Sequence, residues 1–220
     1  MKKSFIVIGI GRFGLSVAKS LSNANADVMA IDTNEVAASQ AAKFMEKVAI
    51  CDATKIEALR ELSVSSVDHA IVAIGNNLTA TILTTVNLKE LGVKKITVRL
   101  DTDEYENLLM RLGATEVVIP EEASALSLSH AILSDTILDY YHVEGEYAIV
   151  QVKVGEKFQS KTLIELNFRN EFDISVVGII RNEKFILPKG QDFIQSNDII
   201  LVIGTNKKVS NFDEYIHKNQ

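Results

Sequence analysis

The chain has 220 residues, of which 47% are hydrophobic and 24% charged, and carries a formal net charge of −6. This is ordinary globular composition with room for one large domain and one small one, and the negative balance excludes nucleic acid as a main partner, because phosphate contact needs a basic surface. No apolar run is long enough to span a bilayer, and Met1-Lys2-Lys3 leads into a strand of only a few residues, so neither a transmembrane helix nor a signal peptide is expected.

Phe5-Ile6-Val7-Ile8 is an apolar run without polar alternation, the pattern of a strand buried on both faces in a parallel sheet. It leads into Gly9-Ile10-Gly11-Arg12-Phe13-Gly14, the spacing of a dinucleotide-binding turn. Gly9 allows the tight turn, Gly11 lets the backbone approach a pyrophosphate, and Gly14 lets the next helix pack close to the strand. The free N–H groups and positive dipole end of that helix, Leu15 to Asn25, then face the phosphates. Val28-Met29-Ala30-Ile31 is a second buried strand ending on Asp32, 18 residues past Gly14, where a carboxylate accepts from ribose hydroxyls and repels a 2′-phosphate. A plain turn residue is the other reading of Asp32.

Thr33 to Phe44 is Ala-rich and helical, and Val48 to Cys51 makes a third strand, closing on Asp52-Ala53-Thr54. Cys51 is the single cysteine, so no internal disulfide forms; it fits a reducing cytoplasm and reads as a small buried hydrophobe. Thr54-Lys55-Ile56-Glu57 has the form of a capping box. Asp52 stands at the sheet edge where doubly wound folds bind ligands, as a cap or as a nucleotide contact. Ala70 to Ile74 is the fourth strand, turning at Gly75-Asn76-Asn77 into a helix over Thr79 to Leu91. Ile96 to Leu100, the helix Asp103 to Leu112 and Val117 to Ile119 complete six strands alternating with helices, the rhythm of a Rossmann-like, doubly wound α/β fold with a parallel sheet.

Beyond Pro120 the rhythm changes. Residues 121–141 read as one long crossover helix whose apolar positions spread wider than one stripe, either covering its own core or packing on a twin from another subunit. A β-rich tail follows, with strands over Tyr147 to Val154, Ile174 to Ile180, Lys184 to Leu187 and Asp198 to Ile203, and a closing helix from Asn206. The expected division is therefore a domain over 1–140, including that helix, and a small α+β domain over 141–220.

Enzymatic chemistry is hard to find. No tyrosine has a lysine four residues later, His69, His130, His142 and His217 show no metal-ligand spacing, and neither a G-x-x-x-x-G-K-[ST] loop nor a G-x-S-x-G elbow occurs. A nucleotide fold without catalytic groups reads as a sensor rather than an enzyme. A small NAD-dependent oxidoreductase, or a nucleotide sensor acting on a soluble partner, are the alternatives.

Taken together, Gly9-Ile10-Gly11-Arg12-Phe13-Gly14, Asp32, Asp52-Ala53-Thr54, Ile74-Gly75-Asn76 and the β-rich tail resemble the RCK (regulator of K⁺ conductance) proteins of the TrkA and KtrA type, most closely the KtrA branch. The resemblance covers both domains, RCK-N and RCK-C. It implies ATP or ADP as ligand, with NAD(H) the alternative on a TrkA-like pattern. It also implies a homodimer that assembles into an octameric ring and docks on a membrane K⁺-translocating subunit of the KtrB or KtrD type, at the cytoplasmic face of the membrane. Gly9, Gly11 and Gly14, with Phe13 in the same turn, would cradle the phosphates. Asp32 and Asn34 would hold the ribose, with Asp52, Ala53 and Thr54 near the adenine and Gly75 and Asn76 in the turn beside them. Arg12 would sense the γ-phosphate by reaching into the neighbouring subunit's site, Arg99 is a second basic residue, and Glu121 matches an acid that helps hold a divalent cation, Mg²⁺ or Ca²⁺, at the dimer interface. Arg12 as a solvated surface charge, Arg99 as the close of a strand and Glu121 as a first-turn helix acid are the plainer readings. In RCK-C the resemblance implies a cyclic di-AMP site at Leu163, Ile164, Phe168, Arg169, Ile174 and Pro188, whose apolar members could equally be domain core.

Overall fold

A computed structural model describes residues 2–75, 77–143 and 145–218. The chain forms two compact units that divide between Glu121 and Glu122. The first unit runs β1 (Ser4–Ile8), α1 (Arg12–Asn23), β2 (Asp27–Asp32), α2 (Glu35–Ala41), β3 (Lys47–Ile50), α3 (Ile56–Glu61), β4 (His69–Val72), α4 (Leu78–Glu90), β5 (Ile96–Arg99), α5 (Glu106–Leu112) and β6 (Glu116–Val118). Its strands pair in parallel in the order β3-β2-β1-β4-β5-β6. Winding proceeds outward in both directions from β1, so the loops after β1 and β4 diverge and leave a crevice at the carboxyl edge. The continuous apolar run of β1 serves both faces. Ile6 and Ile8 enter the core under α4 and α5, whereas Val7 enters the core against α1, with Ala18 and Ala30. Burying these side chains is worth about 1.5–3 kcal/mol each, and it fixes the level at which β1 ends and the glycine turn begins.

α6 (Pro120–Leu133) begins at the division and leads into the second unit. There β7 (Ile137–His142), β8 (Tyr147–Lys153), β9 (Lys161–Thr162), α7 (Leu163–Leu166), α8 (Phe168–Phe172), β10 (Ser175–Arg181), β11 (Lys184–Ile186), β12 (Phe193–Ile194), β13 (Ile199–Thr205) and α9 (Asn206–Lys218) follow in order. The main sheet is antiparallel, ordered β11-β10-β13-β8-β7, and β9 pairs with β12. Phe212 and Ile216 of α9 pack with Phe168 of α8 over Val150, Val152, Ile200 and Val202.

The helix expected over 121–141 is shorter. It stops at Leu133, and Ile137–His142 joins the sheet as β7. The Ser134 hydroxyl accepts from the N–H groups of Thr136 (3.1 Å) and Ile137 (2.9 Å) and donates to Asp213 (2.8 Å), which turns the chain out of the helix. Ile137 and Tyr140 then bury in the second core, while Leu128, Ile132 and Leu133 of α6 stay exposed, Leu133 by 85%.

Candidate functional site

The turn between β1 and α1 is built by exclusion of side chains. Gly9 has φ +91°, and a Cβ there would stand 2.5 Å from the Ala73 carbonyl oxygen at the end of the neighbouring strand. A Cβ on Gly14 would lie 1.9 Å from the Gly9 carbonyl oxygen, so α1 lies directly against the turn. Gly11 differs. It has ordinary φ of −69°, and a Cβ on it would meet nothing within 4 Å. The protein's own packing does not require glycine at this position; its missing side chain leaves open space in front of the helix start. α1 also begins with no side-chain cap and no acid in its first turn. α2 and α4, by contrast, are capped by Asn34, which accepts from Val36 and Ala37, and by Asn77, which accepts from Ala80. Of these three helix starts, only that of α1 keeps its N–H groups clear of side-chain acceptors.

Asp32, ending β2, clamps the turn. One carboxylate oxygen accepts from Ile10 N–H at 2.6 Å and the other from Asn34 N–H at 2.8 Å. Each oxygen keeps a lone pair, and the side chain lines the cleft, so it can still accept from a ligand hydroxyl. At the next strand end Asp52 accepts from the Thr54 N–H (3.0 Å) and hydroxyl (2.7 Å), and these bonds hold its carboxyl below the usual range. The capping box expected at Thr54 does not form. Thr54 spends its hydroxyl on Asp52, and Lys55 takes the N-cap position of α3 without a side-chain bond. Burial, with Asp52 beside it, pushes the Cys51 thiol up, so Cys51 stays a neutral wall residue.

Arg99, at the end of β5, enters from the opposite side. Its Nη2 donates to Glu121 at 2.7 Å and forms an ion pair with Asp101 at 2.7 Å, and its side chain is 13% exposed. The bond from Arg99 holds the Glu121 carboxyl below the usual range. Gly9, Gly11, Arg12, Phe13, Asp32, Asp52, Ala53, Thr54, Gly75, Arg99 and Glu121 thus line one cleft of about 1070 Å³, well above the size of a small-molecule site's lower range. Gly14 shapes it from behind. Asn34 is not among its walls, because its side chain is committed to capping α2. Asn76 lies outside the described residues.

Sequence reasoning missed one wall. Ala80 and Thr84 of α4 line the cleft, and Asn87, one turn on, donates to the carbonyls of Ala53 (3.2 Å) and Thr54 (3.0 Å), tying α4 to the Asp52 loop. Thr81 and Thr85 satisfy their buried hydroxyls on the carbonyls four residues back, whereas the Thr84 hydroxyl is buried without a partner among the described residues. The unusual density of threonine in this helix was the available signal. Thr84→Val is expected to stabilise the unit by about 1 kcal/mol, since it removes an unsatisfied buried hydroxyl at nearly constant shape. A lowered unfolding temperature would contradict that account.

In the second unit the six expected residues separate. Phe168 and Ile174 are buried, and Leu163 packs against the same core, so these three are occupied by the fold. Ile164 is 66% exposed and lies against the 188–190 loop, its N–H donating to Gly190 at 3.0 Å. Pro188 is half-buried, and Arg169 is exposed with its guanidinium on the Ser175 hydroxyl.

Residues 5–120 match the TrkA-N domain and residues 147–217 the TrkA-C domain. The chain is 39% identical over 217 residues to Ktr system potassium uptake protein C of Bacillus subtilis, covering 98% of each. It is 31% identical over 212 residues to Ktr system potassium uptake protein A of the same organism, covering 96% of each. Among solved structures, the GsuK RCK domain superposes with a TM-score of 0.68 at 18% identity, covering 98% of this chain and 48% of that one. The chain thus spans about half the length of that structure and shares its fold. No described helix is long and apolar enough to cross a membrane.

Proposed function

This chain belongs to the family of TrkA-N and TrkA-C domain proteins that includes the Ktr system potassium uptake proteins, and from that membership we propose that it is a regulatory subunit of a K⁺ transport system. In this reading ATP and ADP exchange in the cleft of the first unit and no bond is made or broken. The observation that carries it is the uncapped start of α1 above Gly11, where open space and free N–H groups suit a phosphate chain. Asp32 would take the ribose hydroxyls, and the Asp52-Ala53-Thr54 loop the adenine end. Arg12, exposed at the mouth of the cleft, would reach a γ-phosphate in the neighbouring subunit's cleft and add a charge-assisted fork there.

The same reading places the chain in the cytoplasm, held at the membrane by a K⁺-translocating subunit, as a homodimer within an octameric ring. The exposed Leu128, Ile132 and Leu133 of α6 suit burial against another subunit. Cyclic di-AMP would bind the second unit at Ile164, Arg169 and Pro188, where an apolar side chain is free to meet a base and a guanidinium a phosphate. A divalent cation at Glu121 would be shared across the dimer interface rather than held by one chain alone. That carboxylate is already engaged by Arg99, and no cluster of three potential ligands exists among the described residues.

Calorimetry of the purified protein with ATP, ADP and NADH tests the reading. Tighter binding of ATP and ADP than of NADH is expected, and the reverse would replace it with an NAD(H)-binding regulator. Arg12→Ala is expected to keep ADP affinity and lose roughly tenfold in ATP affinity, the worth of one charge-assisted contact. Equal loss for both nucleotides would remove Arg12 from the sensing role.

A further inference from the structure

Among the described residues two buried side-chain polar atoms have no hydrogen-bond partner, the Thr84 hydroxyl and Arg99 Nε, and both residues line the same cleft. A folded protein leaves few such atoms, and each asks for a reason. Arg99 is anchored through Nη2 on Glu121. Thr84 has no such anchor. It is fully buried on α4. The carbonyl four residues back takes the hydroxyl of Thr81 and of Thr85, but not that of Thr84.

Its position says what this hydroxyl is kept for. Asn77, Ala80 and Thr84 follow one stripe of α4 and all line the cleft, and Asn87 continues that stripe onto the carbonyls of Ala53 and Thr54. Thr84 therefore stands one helical turn from the residue that holds the Asp52-Ala53-Thr54 loop. Asp52 and Thr54 are bonded to each other there, and the two carbonyls are taken by Asn87. A helical threonine has two open χ1 wells, so a side-chain rotation alone turns the hydroxyl to a bound group. The phosphates have their own donors at the start of α1, which leaves the base as the part of a nucleotide that meets α4. We infer that the Thr84 hydroxyl is a hydrogen-bond partner of the nucleotide's base, unpaired within the chain and satisfied by a polar edge of the ring. This deepens the nucleotide reading above and rests on it. It makes Thr84 a specificity-determining residue that the fold alone would be steadier without.

Wild type, Thr84→Val and Thr84→Ser are each titrated by calorimetry with ADP and with inorganic pyrophosphate, which carries phosphates and no base, and each is melted without ligand. Thr84→Val is expected to bind ADP about three- to tenfold more weakly, the scale of one neutral hydrogen bond, to bind pyrophosphate as wild type does, and to unfold at a higher temperature. Thr84→Ser, which keeps the hydroxyl, should retain most of the ADP affinity. A gain in stability with a loss of ADP affinity in one variant is what a merely structural threonine does not produce. Unchanged ADP affinity in Thr84→Val overturns the assignment. So does an equal loss for ADP and pyrophosphate, or an equal loss in Thr84→Ser and Thr84→Val. Those three results leave the nucleotide reading standing. Wild type that does not bind ADP removes that reading, and the assignment with it.

Discussion

Gly14→Ala is expected to cost the first unit about 3–5 kcal/mol, enough to unfold it near physiological temperature. The added methyl would lie 1.9 Å from the Gly9 carbonyl oxygen, and that oxygen cannot retreat. Gly9 is pinned by its own N–H to the Ile31 carbonyl at 2.8 Å, and its φ of +91° leaves little latitude. Moving α1 outward instead would open the core around Val7 and Ala18. The second unit has a separate core, so thermal unfolding of the variant should show early loss of one transition with a later one retained. A single transition at the wild-type temperature would mean that the helix can shift without consequence.

Asp32→Asn should be the most damaging conservative change in the cleft. The carboxylate accepts from two backbone N–H groups, one on each oxygen. An asparagine has only one acceptor oxygen, so either orientation of its amide presents an NH₂ to one of those donors. The expected result is a loss of about 1–3 kcal/mol in stability and, on the proposed reading, roughly 10- to 100-fold weaker ADP binding, as the ribose acceptor and the turn that presents the phosphates fail together. Calorimetry well below the unfolding temperature separates the two effects. Unchanged ADP affinity in a folded variant would take Asp32 out of ligand recognition.

The parallel sheet was legible because β1, β2 and β4 each carry an unbroken apolar run of four or five residues bounded by turn residues. The glycine turn and Asp32 were legible for the same reason: their backbone demands are written at fixed spacing. Asn34 and Thr54 were not, because a short polar side chain beside a helix start can face a ligand or the backbone, and only the local geometry decides. Thr84 was hidden by distance, since it reaches the cleft through packing of α4 against the Asp52 loop. The end of α6 was missed because Ile137 to Tyr141 continues the apolar content of the helix. What stops it is the bond between Ser134 and Asp213, separated by 79 positions in the chain.

Glu121 is the last residue of the first unit and lies in the opening turn of the helix that enters the second. A rearrangement at this carboxylate therefore acts on the covalent junction itself. No relay of side chains through a core separates it from that junction, which the chain crosses within the first turn of α6.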